Sequence, residues 1–290
     1  MKILVVGGSG MLGSDVVAEL ATRGHEVIAP SSSNLDITNP ESVAAATSYK
    51  ADWCINCAAY TAVDAAESHE QEAAELNALG PGYLARAMAM SGTKFLHIST
   101  DFVFDGIKEG AYEETDAPNP KSVYGRTKLA GEEAVQSAHP NTVIFRTAWL
   151  YGPNGKSFPK TVIGAWMAGK SLRVIDDQLG CPTYTKDLAK SICDSVEANI
   201  FPGIYHATGP DAMTWHGFAT MAVQAFKDVH ALPSSVEIEP IATADWPTPA
   251  QRPANSVLSN EKLRQAGIAP MRPASEALLD FVSNLSFDEV

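Results

Sequence analysis

Tyr124 and Lys128 lie four residues apart and could together do acid–base chemistry. Residues at i and i+4 of a helix share one face, so this spacing places a phenol beside an ammonium. A free phenol has a pKa of about 10 and needs a nearby cation before it can exchange a proton at neutral pH. The same pattern also occurs on ordinary helix surfaces, so it indicates proton transfer only when other residues support it.

Thr100 provides the first such support, because it follows an apolar segment at 94–99 that is predicted to be a strand. In open α/β sheets the carboxyl ends of parallel strands face the ligand crevice. Thr100 is therefore predicted to hold a carbonyl oxygen next to the Tyr124 phenol, with a strand-end cap as its alternative role. Thr100, Tyr124 and Lys128 together indicate carbonyl reduction, provided that a hydride donor binds nearby.

The loop GGSGMLG at 7–13 could bind that donor, since it links an apolar strand at 2–6 to a helix. Gly7 permits the tight turn, Gly10 lets a pyrophosphate approach the backbone, and Gly13 lets the helix pack on the strand. The helix N-terminus, with Met11 and Leu12, then offers N–H groups to phosphates. A strand–helix turn without any ligand is the alternative.

The loop after the second predicted strand, at 25–29, bears on the choice of cofactor. Its sequence is PSSSN, which places no carboxylate where a 2′-phosphate would lie and offers hydroxyls at Ser31 and Ser32. The hydroxyls and the missing carboxylate favour NADPH, whereas the absence of an arginine, which strong NADP preference usually uses, leaves NADH as the alternative. Asp36 and Ile37 are predicted on the adenine side of the cofactor, with a turn cap as the other role for Asp36.

The elements that must position these residues alternate along the first half of the chain. Predicted strands at 2–6, 25–29, 52–57, 94–99 and 142–147 are separated by amphipathic segments at 11–23, 40–49, 71–90 and 123–138. This alternation predicts an α/β fold with a doubly wound parallel sheet of the Rossmann type. Residues 1–150 are predicted to form the dinucleotide-binding domain and 151–290 a second, smaller α/β substrate domain. Part of 184–207 is predicted to return to the Rossmann sheet.

Composition excludes several classes of protein. The chain has 290 residues, 45% hydrophobic and 19% charged, which argues against disorder. Its 34 acidic and 21 basic side chains give a net charge of -13, which argues against nucleic acid or an anionic membrane as partner. The sequence shows no apolar run long enough to span a membrane and no pattern of metal-ligand spacing. Its four cysteines, including Cys54 and Cys57, are predicted to be reduced core residues in a cytoplasmic protein.

The motifs resemble those of extended short-chain dehydrogenases/reductases, and four segments are similar to the dTDP-4-dehydrorhamnose reductase family in particular. The segments are NCAAYTAVD at 56–64 with Glu67 after it, STDFVFDG at 99–106, FRTAWLYG at 145–152 and PTPAQRPANS at 247–256. The resemblance covers nearly the whole chain, and the last segment is specific to the subfamily.

The resemblance implies NADPH-dependent reduction of the C4 keto group of dTDP-4-dehydro-6-deoxy-L-mannose to dTDP-L-rhamnose. Tyr124 would protonate the C4 oxygen, Lys128 would lower the Tyr124 pKa and hold the nicotinamide ribose, and Thr100 would position the carbonyl. The implied cofactor turn is Cys57, Ala58, Ala59 and Tyr60. The implied substrate-contacting residues are Val63, Asp64, Thr100, Asp101, Phe102, Tyr124 and Trp149. Position 102 is often Tyr in the family, and Mg²⁺ is associated with the family as well.

Three alternatives follow from the same resemblance. Nucleotide-sugar 4,6-dehydratases carry Thr-Asp-Glu, but this chain has Phe102 in place of that glutamate. The regulatory subunit of methionine adenosyltransferase resembles the family without acting chiefly as a reductase. A sister reductase for another nucleotide-linked 4-keto-6-deoxysugar is the third alternative. The sequence leaves the oligomeric state open between monomer and homodimer.

Overall fold

The computed structural model describes residues 1–232, 235 and 237–287, so the end of the second predicted domain, 288–290, lies outside the described residues. The strands are β1 (Lys2–Val6), β2 (Glu26–Ile28), β3 (Trp53–Asn56), β4 (Lys94–Thr100), β5 (Thr142–Thr147), β6 (Leu150–Tyr151), β7 (Leu172–Ile175), β8 (Leu179–Gly180), β9 (Thr183–Tyr184), β10 (Gly203–His206), β11 (Met213–Thr214) and β12 (Ile238–Ile241).

The α-helices are α1 (Met11–Thr22), α2 (Pro40–Ala45), α3 (Val63–Ala66), α4 (Glu70–Ala74), α5 (Gly80–Ser91), α6 (Val123–Ala138), α7 (Phe158–Met167), α8 (Thr185–Ala198), α9 (Trp215–Val229), α10 (Glu261–Gln265) and α11 (Ala274–Ser283). Short 3₁₀ turns occupy Ala46–Tyr49, Asp101–Val103 and Thr243–Asp245. A π-helical turn at Glu75–Leu79 joins α4 to α5. No helix within the described ranges is long and apolar enough to cross a lipid bilayer.

A six-stranded sheet in the order β10-β5-β4-β3-β1-β2 forms the centre of the molecule, and each strand runs parallel to its neighbours. The predicted doubly wound α/β fold is therefore confirmed. The predicted bounds hold for β1, β5 and α6. β2 and β3 are each one residue shorter at both ends than predicted, and β4 extends one residue further, to Thr100.

Helices cover both faces of this sheet, which explains why its strands are apolar on both sides. Side chains alternate along β1, so Ile3 and Val5 join the core beneath α1 and α8. Leu4 and Val6 join the opposite core, beneath α2 and α5. The second half of the chain thus contributes α8 to one helical layer and β10 to the edge of the sheet beside β5.

The rest of the second half forms a separate apolar cluster in which α9 packs against α7 and α11. Phe218 and Phe226 of α9 are fully buried there, beside Phe281 of α11. Two-stranded pairings frame this cluster: β7 with β12, β8 with β11, and β6 with β9. Since β6 follows β5 directly, the cluster begins at the carboxyl edge of the central sheet. We propose the division at residue 150 as the boundary between a dinucleotide-binding and a substrate domain.

Candidate active site

A cavity of about 690 Å³ lies where β1, β3, β4 and β5 end. The glycine loop, the ends of β4 and β5 and the first turns of α6 form its wall, together with residues from the second half of the chain. The predicted site residues that line it are Gly7, Gly10, Met11, Leu12, Gly13, Cys57, Ala58, Ala59, Val63, Thr100, Asp101, Phe102, Tyr124, Lys128 and Trp149. The fold therefore brings the predicted phosphate loop and the predicted acid–base residues into one space.

The residues predicted to contact the adenine side lie outside this cavity. Ser31 and Ser32 are exposed on the loop that follows β2. Asp36 accepts hydrogen bonds from both the backbone N–H and the hydroxyl of Thr38, at 2.9 and 2.7 Å, so it caps a turn, its alternative role. Ile37 is 3% exposed and packs in the core beneath α2 and α5. A direct cofactor contact by the Ile37 side chain does not fit this burial.

Asp64 and Tyr60 also stand outside the cavity wall. The Asp64 carboxylate forms a bidentate ion pair with Arg252, at 3.0 and 2.8 Å, and accepts the backbone N–H of Ala250 at 3.2 Å. Arg252 itself lines the cavity. The backbone N–H of Tyr60 donates to Asn77 Oδ1 at 2.8 Å, which anchors the turn after β3. Asp64 is thus placed to orient Arg252, whereas a sugar hydroxyl was the expected partner.

The glycine loop has the features of a phosphate cradle. Gly10 precedes α1 without a side-chain cap, and the first N–H groups of a helix have no partner inside it. A Cβ at Gly13 would overlap the carbonyl oxygen of Gly7, so only glycine allows this close contact between helix and strand end. Gly7 has φ +77°, and a Cβ there would lie 2.7 Å from Ala58 N. Free donors and close backbone approach fit a dinucleotide's pyrophosphate.

Two polar contacts position the start of α6, which carries Tyr124 and Lys128. Ser122 caps the helix by accepting the N–H of Gly125 at 3.1 Å. The Glu67 carboxylate accepts the N–H of Val123 at 2.8 Å, where the helix dipole favours a negative charge. These contacts explain why α6 begins at the predicted residue and why Tyr124 is in its first turn.

Thr100 and Tyr124 meet at the floor of the cavity. Thr100 is 5% exposed, and its hydroxyl donates to Asp101 Oδ1 at 2.9 Å while accepting Phe102 N–H at 3.2 Å. Burial raises the pKa of Tyr124 to about 12, although a hydrogen bond with Thr100 opposes that rise. The ring of Phe102 packs edge-on against Tyr124, with centroids 5.5 Å apart.

Lys128 is 2% exposed and donates to the backbone oxygen of Ile98 at 2.6 Å. Burial lowers the pKa of its ammonium to about 8. The net shift at the phenol is upward because desolvation dominates, and the lowering of the Tyr124 pKa by Lys128 stays a prediction. Tyr124 is therefore a neutral phenol at pH 7, the form that can donate a proton.

Asp101 is the buried anion of the site. It is 2% exposed, and its Oδ2 atom has no hydrogen-bond partner among the residues that the structure describes. Burial raises the pKa of its carboxyl to about 6. Cys57, which also lines the cavity, has a thiol whose pKa burial raises to about 12, so it is not a thiolate nucleophile.

Two tryptophans form an apolar wall of the cavity. The indole of Trp149 stacks on that of Trp215, with centroids 3.5 Å apart and planes 8° apart, and both residues line the cavity. Trp149 has φ +46°, a left-handed conformation that bulky residues rarely adopt. A Cβ at Gly180 would overlap the Trp149 ring. The sequence predicted Trp149 in this wall but not Trp215 or Arg252; of these two, only Arg252 had a signal in the sequence, its position in the PTPAQRPANS segment.

The Mg²⁺ ion associated with the resembled family has no fitting ligand set here. Within residues 1–232, 235 and 237–287, no three His, Cys, Asp or Glu side chains come close enough to hold a metal ion. The cavity instead combines a phosphate cradle, a neutral phenol, a buried ammonium and a buried carboxyl group. Such an arrangement can hold a dinucleotide and deliver a proton to a carbonyl oxygen.

Comparison with known proteins shows that this chain is similar to reductases of nucleotide-linked sugars. The chain is 39% identical over 285 residues to the dTDP-4-dehydrorhamnose reductase of Mycolicibacterium smegmatis, covering 97% of this chain and 85% of the relative. It is 41% identical to a probable dTDP-4,6-dihydroxy-2-methyloxan-3-one 4-ketoreductase of Streptomyces antibioticus, with 96% and 93% covered. The structure of the dTDP-4-dehydrorhamnose reductase of Bacillus anthracis in complex with NADP superimposes with a TM-score of 0.90 at 32% identity, covering 97% of this chain and 98% of that one.

A family model also matches nearly the whole chain. The model is that of the RmlD substrate binding domain, and it matches residues 1–287. Together with relatives about 40% identical over nearly their whole length, this match confirms the resemblance drawn from the motifs. The chain belongs to the RmlD substrate binding domain family.

Proposed function

We propose that this chain is an NADPH-dependent reductase that converts the C4 keto group of dTDP-4-dehydro-6-deoxy-L-mannose into the hydroxyl of dTDP-L-rhamnose. The observation that carries the proposal is the single cavity, in which the glycine loop, Thr100, Tyr124 and Lys128 face one space. A cytoplasmic location belongs to the proposal, since four free cysteines suit a reducing compartment.

The residues support a reduction in which the protein supplies the proton. When bound, the reduced nicotinamide supplies the hydride that forms the new C–H bond at C4. The Thr100 hydroxyl turns its O–H from Asp101 to the carbonyl oxygen of the substrate, and the Tyr124 phenol transfers its proton to that oxygen as the C=O π bond breaks. The Lys128 ammonium stabilises the phenolate that remains until solvent returns the proton. Electrons and protons balance: ketone, hydride and proton give the alcohol.

The cofactor preference rests on different residues. The loop after β2 carries Ser31 and Ser32, both exposed and without a carboxylate that would repel a 2′-phosphate. The relative from Bacillus anthracis binds NADP in its structure, which supports the same preference for this chain. NADH remains the cofactor to compare in every assay.

A second candidate function is reduction of a different dTDP-linked 4-keto sugar. The Streptomyces antibioticus relative, at 41% identity, carries the name of a 4-ketoreductase for another such sugar. The acid–base residues would act in the same way on both substrates. The two proposals therefore share the reaction and differ in the sugar that the cavity wall would contact.

The test is a spectrophotometric assay at about 340 nm, where reduced nicotinamides absorb, with enzymatically generated dTDP-4-dehydrorhamnose and either NADPH or NADH. We expect oxidation of NADPH with dTDP-L-rhamnose as the product, and loss of at least about a hundredfold in turnover for Tyr124→Phe at unchanged NADPH affinity. Unchanged turnover in that variant would refute the proton-donor role. Absence of turnover with intact cofactor binding, together with turnover of another dTDP-4-keto sugar, would replace the proposed substrate by the second candidate.

A further inference from the structure

A buried ion pair lies directly behind the acid–base residues. Glu132 of α6 is 1% exposed and Arg146 of β5 is 2% exposed. Arg146 Nε donates to Glu132 Oε1 at 2.9 Å, and Arg146 Nη2 donates to Glu132 Oε2 at 2.6 Å. The hydroxyl of Ser99 donates to Glu132 Oε1 at 2.5 Å. One carboxylate thus joins α6 to both β4 and β5.

Glu132 and its partner Ser99 lie next to residues of the proposed chemistry. Glu132 lies one helical turn after Lys128, so the two side chains share a face of α6. Ser99 immediately precedes Thr100 and follows Ile98, whose carbonyl oxygen accepts the Lys128 ammonium. A shift of Glu132 would therefore move both the lysine and the strand end that carries Thr100.

Fold stability alone does not explain an ion pair at this position. A buried pair is often no more stabilising than well-packed apolar side chains of similar volume, because both charges lose their hydration. The local charge balance offers a reason for it. Lys128 and Arg146 are two buried cations, and Glu132 is the carboxylate that faces both of them.

We infer that Glu132 is a positioning residue for the reductase: held by Arg146 and Ser99, its carboxylate balances the buried Lys128 ammonium and fixes α6 against the end of β4. This inference rests on the proposed function, because the proposed reduction requires Lys128 in its protonated form. Substrate and cofactor need not touch Glu132, which acts through Lys128.

The other titratable groups around Lys128 are neutral, so they do not balance the charge of its ammonium as the Glu132 carboxylate does. His97 on β4 is buried and neutral, because desolvation holds its pKa well below the usual range. Cys57, after β3, has a neutral thiol, and Tyr124 on α6 has a neutral phenol. Replacing Glu132 by Gln should therefore make the Lys128 ammonium less stable and lower the pH at which it loses its proton.

The experiment measures the protonation of Lys128 directly, as the pH dependence of its ¹³Cε signal in ¹³C-lysine-labelled protein, assigned with Lys128→Met. For wild type we expect a midpoint at about 8. For Glu132→Gln we expect it to fall by about one to three pH units, as for loss of a close opposite charge. The alkaline limb of kcat/KM should move down by the same amount.

Two further variants separate positioning from folding. Glu132→Gln leaves Arg146 buried without its partner and could unfold, so the pair Glu132→Gln with Arg146→Met removes both charges at similar volume. Glu133→Gln makes the same change on the exposed neighbouring position of α6 and should leave the Lys128 midpoint unchanged.

A folded double variant with a lowered Lys128 midpoint supports the inference, and one with the wild-type midpoint and pH profile overturns it. A wild-type protein that fails to reduce dTDP-4-dehydrorhamnose would count against the proposed function alone, because the NMR titration still reports whether Glu132 sets the charge of Lys128.

Discussion

Asp101→Asn should make this protein more stable at neutral pH, although it removes a group from the cavity. Asp101 is 2% exposed, and its Oδ2 atom lacks a partner among the described residues. Ionisation therefore places a charge in a desolvated position, where hydrogen bonds from Ser256 and Thr100 offset only part of the cost of burial. Asparagine keeps an oxygen that can accept the hydrogen bond from Thr100, and it carries no charge.

The size of the effect follows from the carboxyl's pKa. Burial raises the pKa of Asp101 from 3.8 to about 6. The folded state therefore holds the proton over a range in which the unfolded state has lost it, so ionisation lowers the free energy of unfolding as pH rises through that range. Two pKa units correspond to about 3 kcal/mol. The gain from Asp101→Asn should approach about 3 kcal/mol near pH 8 and shrink below about 1 kcal/mol near pH 4.

The assay is urea unfolding of wild type and Asp101→Asn across this pH range, followed by circular dichroism. Asp116→Asn is the matched control with the opposite sign. The ion pair with Lys108 lowers the pKa of Asp116, so that carboxylate stabilises the fold above its unfolded pKa and loses the effect as pH falls. Its asparagine variant should therefore be less stable than wild type at neutral pH and approach it in acid.

Equal stability of Asp101→Asn and wild type at every pH would refute the reasoning, because it would mean that the carboxylate is solvated or paired in the folded protein. A stability gain that does not depend on pH would refute it as well, since packing and not charge would then be the cause. Activity should fall in the same variant, because Asp101 lines the cavity and its carboxyl group becomes an amide.

Three other changes test separate parts of the site. Gly13→Ala should weaken NADPH binding by tenfold or more in a fluorescence titration, because its Cβ would overlap the carbonyl oxygen of Gly7; unaltered affinity would contradict the assigned cradle. Arg252 lines the cavity, and we expect its guanidinium to contact the substrate's diphosphate. Arg252→Gln should then weaken binding of dTDP by about tenfold or more in calorimetry and leave NADPH affinity unchanged, since a charge-assisted hydrogen bond contributes about 1.5–3 kcal/mol; equal losses with dTDP and thymidine would contradict a phosphate contact. Ser31→Asp should raise the KM for NADPH relative to NADH, and an unchanged ratio would place the 2′-phosphate elsewhere.

Local patterns were enough to predict the elements that carry the chemistry. The amphipathic pattern predicted the bounds of α6, where the Ser122 cap starts the helix, and the apolar segments predicted the bounds of β1 and β5. The general rule that ligands bind at the carboxyl ends of parallel strands then brought Thr100 to the cavity. These predictions depended only on residues that are close together in the sequence.

Residues that reach the cavity through tertiary packing were not predictable in this way. Trp215 begins α9 and meets Trp149 only because the second half folds back over the sheet. The raised pKa of Tyr124 has the same origin, since burial of the phenol depends on several elements at once. The burial of the Ile37 side chain has the same origin, since it enters the core between α2 and α5, and a cofactor contact at this position stays a prediction.

The acid–base residues of the cavity and the other residues of its wall come from different parts of the chain. Thr100, Tyr124 and Lys128 belong to the sheet and to α6, where buried hydrogen bonds and an ion pair hold their geometry. Trp215 and Arg252 come from the second half and contact the first half through ring stacking and one ion pair. We therefore expect substitutions at Trp215 and Arg252 to alter which sugar fits without disturbing proton transfer. The same reduction can then serve different 4-keto sugars, which is why substrate identity has to be measured while the reaction type follows from the site.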